Sequence, residues 1–259
     1  MDIVFDQYPY QASATTMTVV LPLWARSGDQ EEILERITNP ENRQQLKDSI
    51  RQDYGWKNME EEKAGTDNFL ILSAKNRPEY IGKTVCQLAE DRGIEPTDMV
   101  IELLIHTELG SGAAFFGLKE EDIVTIMKSP YGMIGSDSGD AKVGGMTHPR
   151  TNGTFAKVIG EYVREKKVLR LEEAIFKMTG FPATKLGLTG RGMIKEGFFA
   201  DLVVFDPDTF KDCSTYLEPD LVAEGVTEVF LNGQQILNKN SEETFFGKVL
   251  RRQMPDSMD

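Results

Sequence analysis

The chain has 259 residues, 40% hydrophobic and 27% charged, a composition typical of a globular protein large enough for one or two domains. Its formal net charge of −13 disfavours nucleic acids and anionic membrane surfaces as partners, because both attract clustered lysine and arginine. The longest apolar run, 17–25, is too short for a membrane span, the N-terminus lacks the basic start of a signal peptide, and the two cysteines are isolated, so a cytoplasmic location is expected.

The first ten residues predict a β-strand. Ile3, Val4 and Phe5 favour β structure, and the run ends at Pro9, which cannot donate a ladder hydrogen bond. Such an apolar strand needs neighbours, which only later residues of this sequence supply.

Beyond residue 10 the pattern predicts helices. Asp29 and Glu32 have the spacing of a capping box, and the helix that they open ends near Asn39. A second, more polar helix carries Leu46 and Ile50. The charged residues 51–67 predict a surface loop, and 69–72 predicts a short buried strand.

Further helices follow in chain order. One has its apolar face over 85–89 and a closing glycine at Gly93, and the next begins at Pro96. Apolar spacing predicts three more helices, over 119–128, 155–163 and 171–178, the last ending near 180–182.

The sequence changes character after Gly190. Residues 197–207 and 226–237 read as strands, and Asn232-Gly233 is a strong signal for a hairpin turn. The sequence therefore predicts an α/β domain over 1–190 and a small β module over 191–259.

The stretch from Met133 to Arg150 carries the chemistry. An apolar, strand-like run delivers Asp137 to a turn of small residues, and His148 and Arg150 follow it. An α/β barrel places catalytic acids in this way, at the end of a strand. On residue type alone, an aspartate in a helix cap or turn is the alternative.

Five segments together resemble the D-aminoacylase (N-acyl-D-amino-acid deacylase) family of the amidohydrolase superfamily. They hold their order and spacing over essentially the whole chain and cover residues 6–10, 133–137, 148–155, 171–183 and 197–207. The resemblance implies a metal-bearing (β/α)8 barrel beside a small β-sandwich. This chain is similar to the C-terminal part of that fold: the last barrel strands with an inserted helical segment, and most of the sandwich.

The resemblance assigns Asp137 the role of the last metal ligand and catalytic base. The family also uses a His-x-His pair, a bridging side chain and two further histidines, whereas this sequence has only His106 and His148, neither at a ligand position. A catalytic zinc generally needs three protein ligands and a water, so this chain alone is not expected to retain it. Ser138 also stands where family members usually carry glycine.

Three further residues are candidates for substrate binding. The planar guanidinium of Arg150 suits the free carboxylate of an N-acyl amino acid, and a surface arginine at a helix start is the alternative. His148 is expected to contact substrate, to orient Arg150, or to serve as a loop residue. Tyr10 follows a strand end and is expected either to contact substrate or to pack in the pocket wall.

The expected function is therefore that of an N-acyl-D-amino-acid deacylase-like amidohydrolase, truncated or partial, with little activity alone. The alternatives are a non-catalytic remnant, or one part of a split enzyme that assembles with a histidine-bearing partner. Unpaired strand edges predict a homo-oligomer or a partner chain. A dihydroorotase or hydantoinase is disfavoured because residues 148–155 resemble the aminoacylase branch.

Overall fold

The computed structural model describes residues 3–53, 69–139, 145–237 and 246–250, and the chain divides into two compact units. The first unit comprises residues 1–9, 120–138 and 149–259, and the second comprises 10–119 and 139–148. The second unit is thus inserted into the sequence of the first. The predicted boundary between residues 190 and 191 falls inside the first unit and stays a prediction.

The helices and strands are numbered in chain order over the described residues. The helices are α1 (Leu23–Arg26), α2 (Gln30–Thr38), α3 (Arg43–Asp53), α4 (Val85–Arg92), α5 (Pro96–His106), α6 (Glu120–Met127), α7 (Arg150–Lys157), α8 (Leu171–Met178) and α9 (Gly180–Leu186). The strands are β1 (Phe5–Gln7), β2 (Ala12–Thr16), β3 (Phe69–Ala74), β4 (Ser111–Phe116), β5 (Gly132–Ile134), β6 (Leu202–Phe205), β7 (Val226–Leu231) and β8 (Gln234–Gln235).

A pair of parallel strands lies in the first unit. β1 aligns with β5 so that Phe5 is opposite Gly132 and Gln7 is opposite Ile134. The amide of Gly135 donates to the carbonyl of Gln7 and extends the pairing past the end of β5. Ile134 is buried in a core formed with α6, α7 and α8. The predicted first strand is thus confirmed over three residues, and its partner is the strand that leads to Asp137.

A buried lysine fixes the start of β5. Lys177 on α8 is only 4% exposed, and its ammonium group donates to the carbonyls of Ser129 and Gly132. Burial lowers its pKa, although Glu173 opposes the shift. Because a buried cation is costly unless its donors are satisfied, these bonds tie α8 firmly to the turn before β5.

The antiparallel sheet β6-β7-β8 also belongs to the first unit. β7 and β8 are joined by Asn232 and Gly233, which have φ values of 49° and 80°. Two consecutive left-handed residues are what the tight hairpin turn requires, so the predicted hairpin is confirmed.

The second unit contains an antiparallel sheet of order β2-β4-β3 packed on α2 to α5. Its strand β3 confirms the predicted strand at 69–72. The expectation of helical order beyond residue 10 is wrong over 12–16 and 111–116, which form β2 and β4. Small residues dominate both segments, so the apolar alternation that announces a strand is missing.

The predicted helix signals of this unit are confirmed. Asp29 and Glu32 form a reciprocal capping box at α2, and Gly93 ends α4 in the left-handed conformation. Leu46 and Ile50 are fully buried on α3. That helix includes residues 51–53 of the predicted loop, and residues 54–67 lie outside the described part of the chain.

The helices of the first unit differ in two details from the prediction. α7 continues as π-helical turns over Val158–Glu165. α8 confirms the predicted helix over 171–178, and a further helix, α9, follows it at once; Pro182 is tolerated there because it lies in the first turn, where no intrahelical amide donor is needed. Among the described residues, no helix combines the length and apolar character that crossing a membrane requires.

Candidate functional site

Asp137 lies three residues beyond β5, in a turn of small residues. Its backbone has a φ of 46°, a left-handed conformation that aspartate and asparagine adopt more readily than most other residues. The side chain is 69% exposed. Ile134, the last residue of β5, is buried and fixes the end of the strand that precedes the turn. The backbone that carries the Asp137 carboxylate therefore starts from a well-packed position.

Arg150, the first residue of α7, meets this carboxylate. Its Nη2 lies 2.9 Å from Oδ2 of Asp137, while its own side chain is only 9% exposed. The guanidinium carbon also lies 4.7 Å from the centre of the Tyr8 ring, over its face. A buried guanidinium thus has an anion at one side and an aromatic face at another, both of which stabilise its charge.

Tyr8 follows β1 directly and completes this cluster. Its pKa is raised, chiefly because the phenol is partly buried and also because Asp137 is near, while Arg150 opposes the shift. Tyr8 therefore stays a neutral phenol at physiological pH. Its position under Arg150 depends on the parallel pairing of β1 with β5.

A second contact joins the same turn to the same helix. The hydroxyls of Ser138 and Thr151 lie 3.1 Å apart, next in sequence to Asp137 and Arg150. A glycine at position 138 has no hydroxyl and lacks this bond. The turn after β5 is thus attached to the first residues of α7 at two neighbouring points.

The start of α7 is braced from its other side. The Ser214 hydroxyl donates to the Pro149 carbonyl at 3.1 Å, and the Asn152 amide donates to the Pro219 carbonyl at 2.9 Å. Gly153 packs so closely on the Asp212 carboxylate that a Cβ atom there would overlap it. These contacts hold Arg150 at a defined place relative to its own unit.

The structure places the other two predicted site residues in the second unit. His148 and Tyr10 pack edge to face, with ring centres 5.3 Å apart, and both are buried. The His148 Nε2 lies 3.1 Å from the carbonyl oxygen of Ala12. The predicted residues therefore form two pairs, Asp137 with Arg150 and Tyr10 with His148, and a role for the second pair in substrate binding stays a prediction.

The described residues do not fit a zinc site. Over 3–53, 69–139, 145–237 and 246–250, no three His, Cys, Asp or Glu side chains are grouped so that they could hold a metal ion. The Asp137 carboxylate is paired with Arg150, and His148 contacts a backbone carbonyl. His106 lies at the end of α5, with its Nδ1 at 3.2 Å from the Tyr80 hydroxyl. One carboxylate is too few for a catalytic zinc, which needs about three protein ligands.

Comparisons with known proteins show which proteins this chain is similar to. A model described as "Amidohydrolase family" matches residues 122–237. The D-aminoacylase of Alcaligenes xylosoxydans xylosoxydans is 38% identical over 181 residues, which are 69% of this chain and 35% of that protein. The N-acyl-D-glutamate deacylase of the same organism is 34% identical, over 72% of this chain and 37% of its own length. The chain thus spans about a third of the length of the curated relatives it matches.

The solved structures agree with these relatives. The N-acyl-D-glutamate deacylase of Bordetella bronchiseptica, solved with zinc and a phosphonate inhibitor, matches 96% of this chain with a TM-score of 0.71 and 29% identity. The match covers 42% of the Bordetella protein. An amidohydrolase fold therefore fits the described structure.

The deacylases match this chain more closely than the dihydroorotases do. Dihydroorotases also match, at 26% and 25% identity, below the deacylases. The predicted resemblance is thus confirmed: the chain is similar to the D-aminoacylase family, and the similarity covers only part of those proteins.

The sequence indicated two members of the Asp137 cluster and missed the arrangement around them. The sequence places Tyr8 after a strand end that should face the pocket but assigns it no contact, and it assigns no role to Thr151. Tyr8 directly follows the first predicted strand, and Ser138 departs from the family pattern, so both carried a signal. Their contacts depend on which strands pair, and local sequence does not specify that pairing.

Proposed function

We propose that this chain is the Asp137- and Arg150-bearing part of an N-acyl-D-amino-acid deacylase, an enzyme that hydrolyses a linear amide C–N bond. The observation that carries the proposal is the 2.9 Å pair of these two side chains beyond the end of β5, in a chain whose relatives are deacylases. Acid–base chemistry and recognition of a substrate carboxylate need these two types of group.

In this proposal, β1 and β5 are neighbouring strands of an incomplete (β/α)8 barrel, and β6 to β8 belong to a small β-sandwich. Their parallel pairing, with α6 before β5 and α7 after it, supports the first assignment. The separate antiparallel sheet β6-β7-β8, whose strands all lie after residue 190, supports a division into 1–190 and 191–259.

Each side chain has a defined task in the proposed reaction. Arg150 binds the free carboxylate of the N-acyl amino acid, since its planar fork matches two carboxylate oxygens. Asp137 accepts the proton of the attacking water and returns it to the leaving nitrogen. His148 and Tyr10 remain proposed substrate contacts. Because the described residues offer no group of three metal ligands, we expect this chain alone to be inactive and to bind zinc substoichiometrically.

A chimera tests the proposal. This chain would replace the matching segment of the Alcaligenes D-aminoacylase, and hydrolysis of N-acetyl-D-amino acids would be followed by release of the free amine. We expect hydrolysis by the chimera, its loss in Asp137→Ala, and a raised KM in Arg150→Gln. A folded, zinc-loaded chimera without any hydrolysis would contradict the proposal.

A second candidate is a part of a split amidohydrolase, or a remnant, that associates with another chain. The observation that favours it is the exposure of Phe5 in β1 and of Ile3 just before this strand. Parallel sheets are normally buried on both faces, and an open edge offers hydrogen bonds to another strand. Light scattering on the purified chain tests self-association. A mass of one chain at all concentrations would exclude a homo-oligomer, and association with a different chain would be the one remaining form of this candidate.

A further inference from the structure

We propose that Asp137 acts in this chain as an internal carboxylate that occupies Arg150. The pair is then a carboxylate-binding site rather than a metal site, and the ion pair that closes this site is called the latch. The proposal rests on the proposed function in one respect: it takes Arg150 as the group that binds a substrate carboxylate. It goes beyond that function by assigning to Asp137 a competing role.

The two charges differ greatly in exposure. The Arg150 side chain is 9% exposed and lies over the Tyr8 ring, whereas the Asp137 side chain is 69% exposed. A guanidinium cannot lose its charge in a protein, so a buried one requires an anion nearby. The anion that meets it here comes from an exposed turn, which is the kind of group that an external carboxylate can replace.

Two features of the turn keep Asp137 paired with Arg150. Its left-handed conformation at Asp137 and the bond between Ser138 and Thr151 hold the carboxylate next to Arg150. A group held within the same molecule acts at an effective concentration in the millimolar range or above. An external carboxylate therefore competes with a partner that is already in place.

The same contact explains the poor fit of a metal. An ion at Asp137 would have to take the carboxylate from Arg150, and the described residues offer no group of three ligands to compensate for that loss. Asp137 therefore has a counter-ion role in this chain that the family resemblance does not assign. A metal ion would compete with Arg150 for the Asp137 carboxylate. A substrate carboxylate would compete with Asp137 for the Arg150 guanidinium.

The test measures binding of N-acetyl-D-alanine by NMR titration of the backbone amides of residues 136–138 and 150–153. Asp137→Asn removes the charge and retains a side chain that tolerates the left-handed turn. We expect this variant to bind the probe at least about tenfold more tightly than the wild type, because the internal competitor is weakened. Ser138→Gly, which removes only the bond to Thr151, should give a smaller gain.

Three controls separate the possible results. N-acetyl-D-alaninamide has no carboxylate and should bind to none of the variants. The double variant Asp137→Asn with Arg150→Gln should lose the gain in affinity for N-acetyl-D-alanine. N-acetyl-L-alanine separates the two proposals: an equal gain for both enantiomers supports the latch and argues against a deacylase site selective for D-amino acids. Equal affinities of wild type, Asp137→Asn and Ser138→Gly would overturn the latch.

Zinc provides an independent arm. We expect added zinc to leave the amide signals of residues 136–138 unchanged in the wild type. Stoichiometric zinc binding that is lost in Asp137→Asn would overturn the assignment of Asp137 as a counter-ion.

Discussion

Replacing Lys177 by methionine tests how firmly the start of β5 is fixed. The substitution retains an unbranched side chain of similar length and removes the ammonium group that donates to the carbonyls of Ser129 and Gly132. Two hydrogen bonds from a charged donor contribute about 1.5–3 kcal/mol each, and part of this is offset because no charge is then buried. We expect a net loss of about 3 kcal/mol.

Urea unfolding followed by circular dichroism measures this loss. With a slope of about 2 kcal/mol/M, the midpoint should fall by about 1.5 M. Hydrogen exchange should show faster exchange over residues 128–135. Lys128→Met is the matched control, since Lys128 is exposed and should change stability by less than about 0.5 kcal/mol. A Lys177→Met variant that unfolds at the wild-type midpoint would refute the reasoning.

Three further substitutions have defined outcomes. Burial and two nearby arginines lower the pKa of His106, so the unfolded state binds more protons, and unfolding free energy should fall from pH 7 to pH 5. Tryptophan fluorescence in urea at both pH values should show a smaller fall in His106→Gln. Asp29→Ala removes the capping box and should lower stability by about 1 kcal/mol, whereas Glu31→Ala, which leaves the cap intact, should not; equal losses would refute the cap's contribution. Gly153→Ala places a methyl group against Asp212 and should cost about 1–3 kcal/mol in thermal unfolding, and a second substitution, Asp212→Ala, should recover part of it.

The local signals in the sequence predicted much of the fold. The capping box at Asp29, the closing glycine Gly93 and the hairpin at Asn232 each depend on residues close in sequence, and each is confirmed. Strands β2 and β4 were not predicted, because residues such as Ala113 and Ala114 lack the pattern of a half-buried strand. Their identity as strands comes from pairing with each other and with β3.

The site was predictable as residue types and not as an arrangement. Asp137 and Arg150 follow recognisable motifs, and their contact spans only thirteen positions. Tyr8 reaches the same cluster from the other end of the sequence, through the register of β1 with β5. Register is a property of two strands together, so neither segment alone predicts that Tyr8 supports Arg150.

The pairing of β2 with β4 has a consequence for the order in which the chain folds. Ala12 lies opposite Phe116, so the first and last strands of the inserted unit bring its two ends side by side. Before that unit forms, pairing β1 with β5 closes a loop of roughly 130 residues. Once β2 and β4 are paired, the chain between β1 and β5 is bridged from residue 12 to residue 116, and the effective loop is roughly 25 residues. The entropic cost of closing the loop is then lower by about 1.5 kcal/mol. The inserted unit is therefore expected to fold first and to hold residues 12 and 116 close together. Pairing of β1 with β5, the strands that lead to Tyr8 and Asp137, is expected to be the later and slower event.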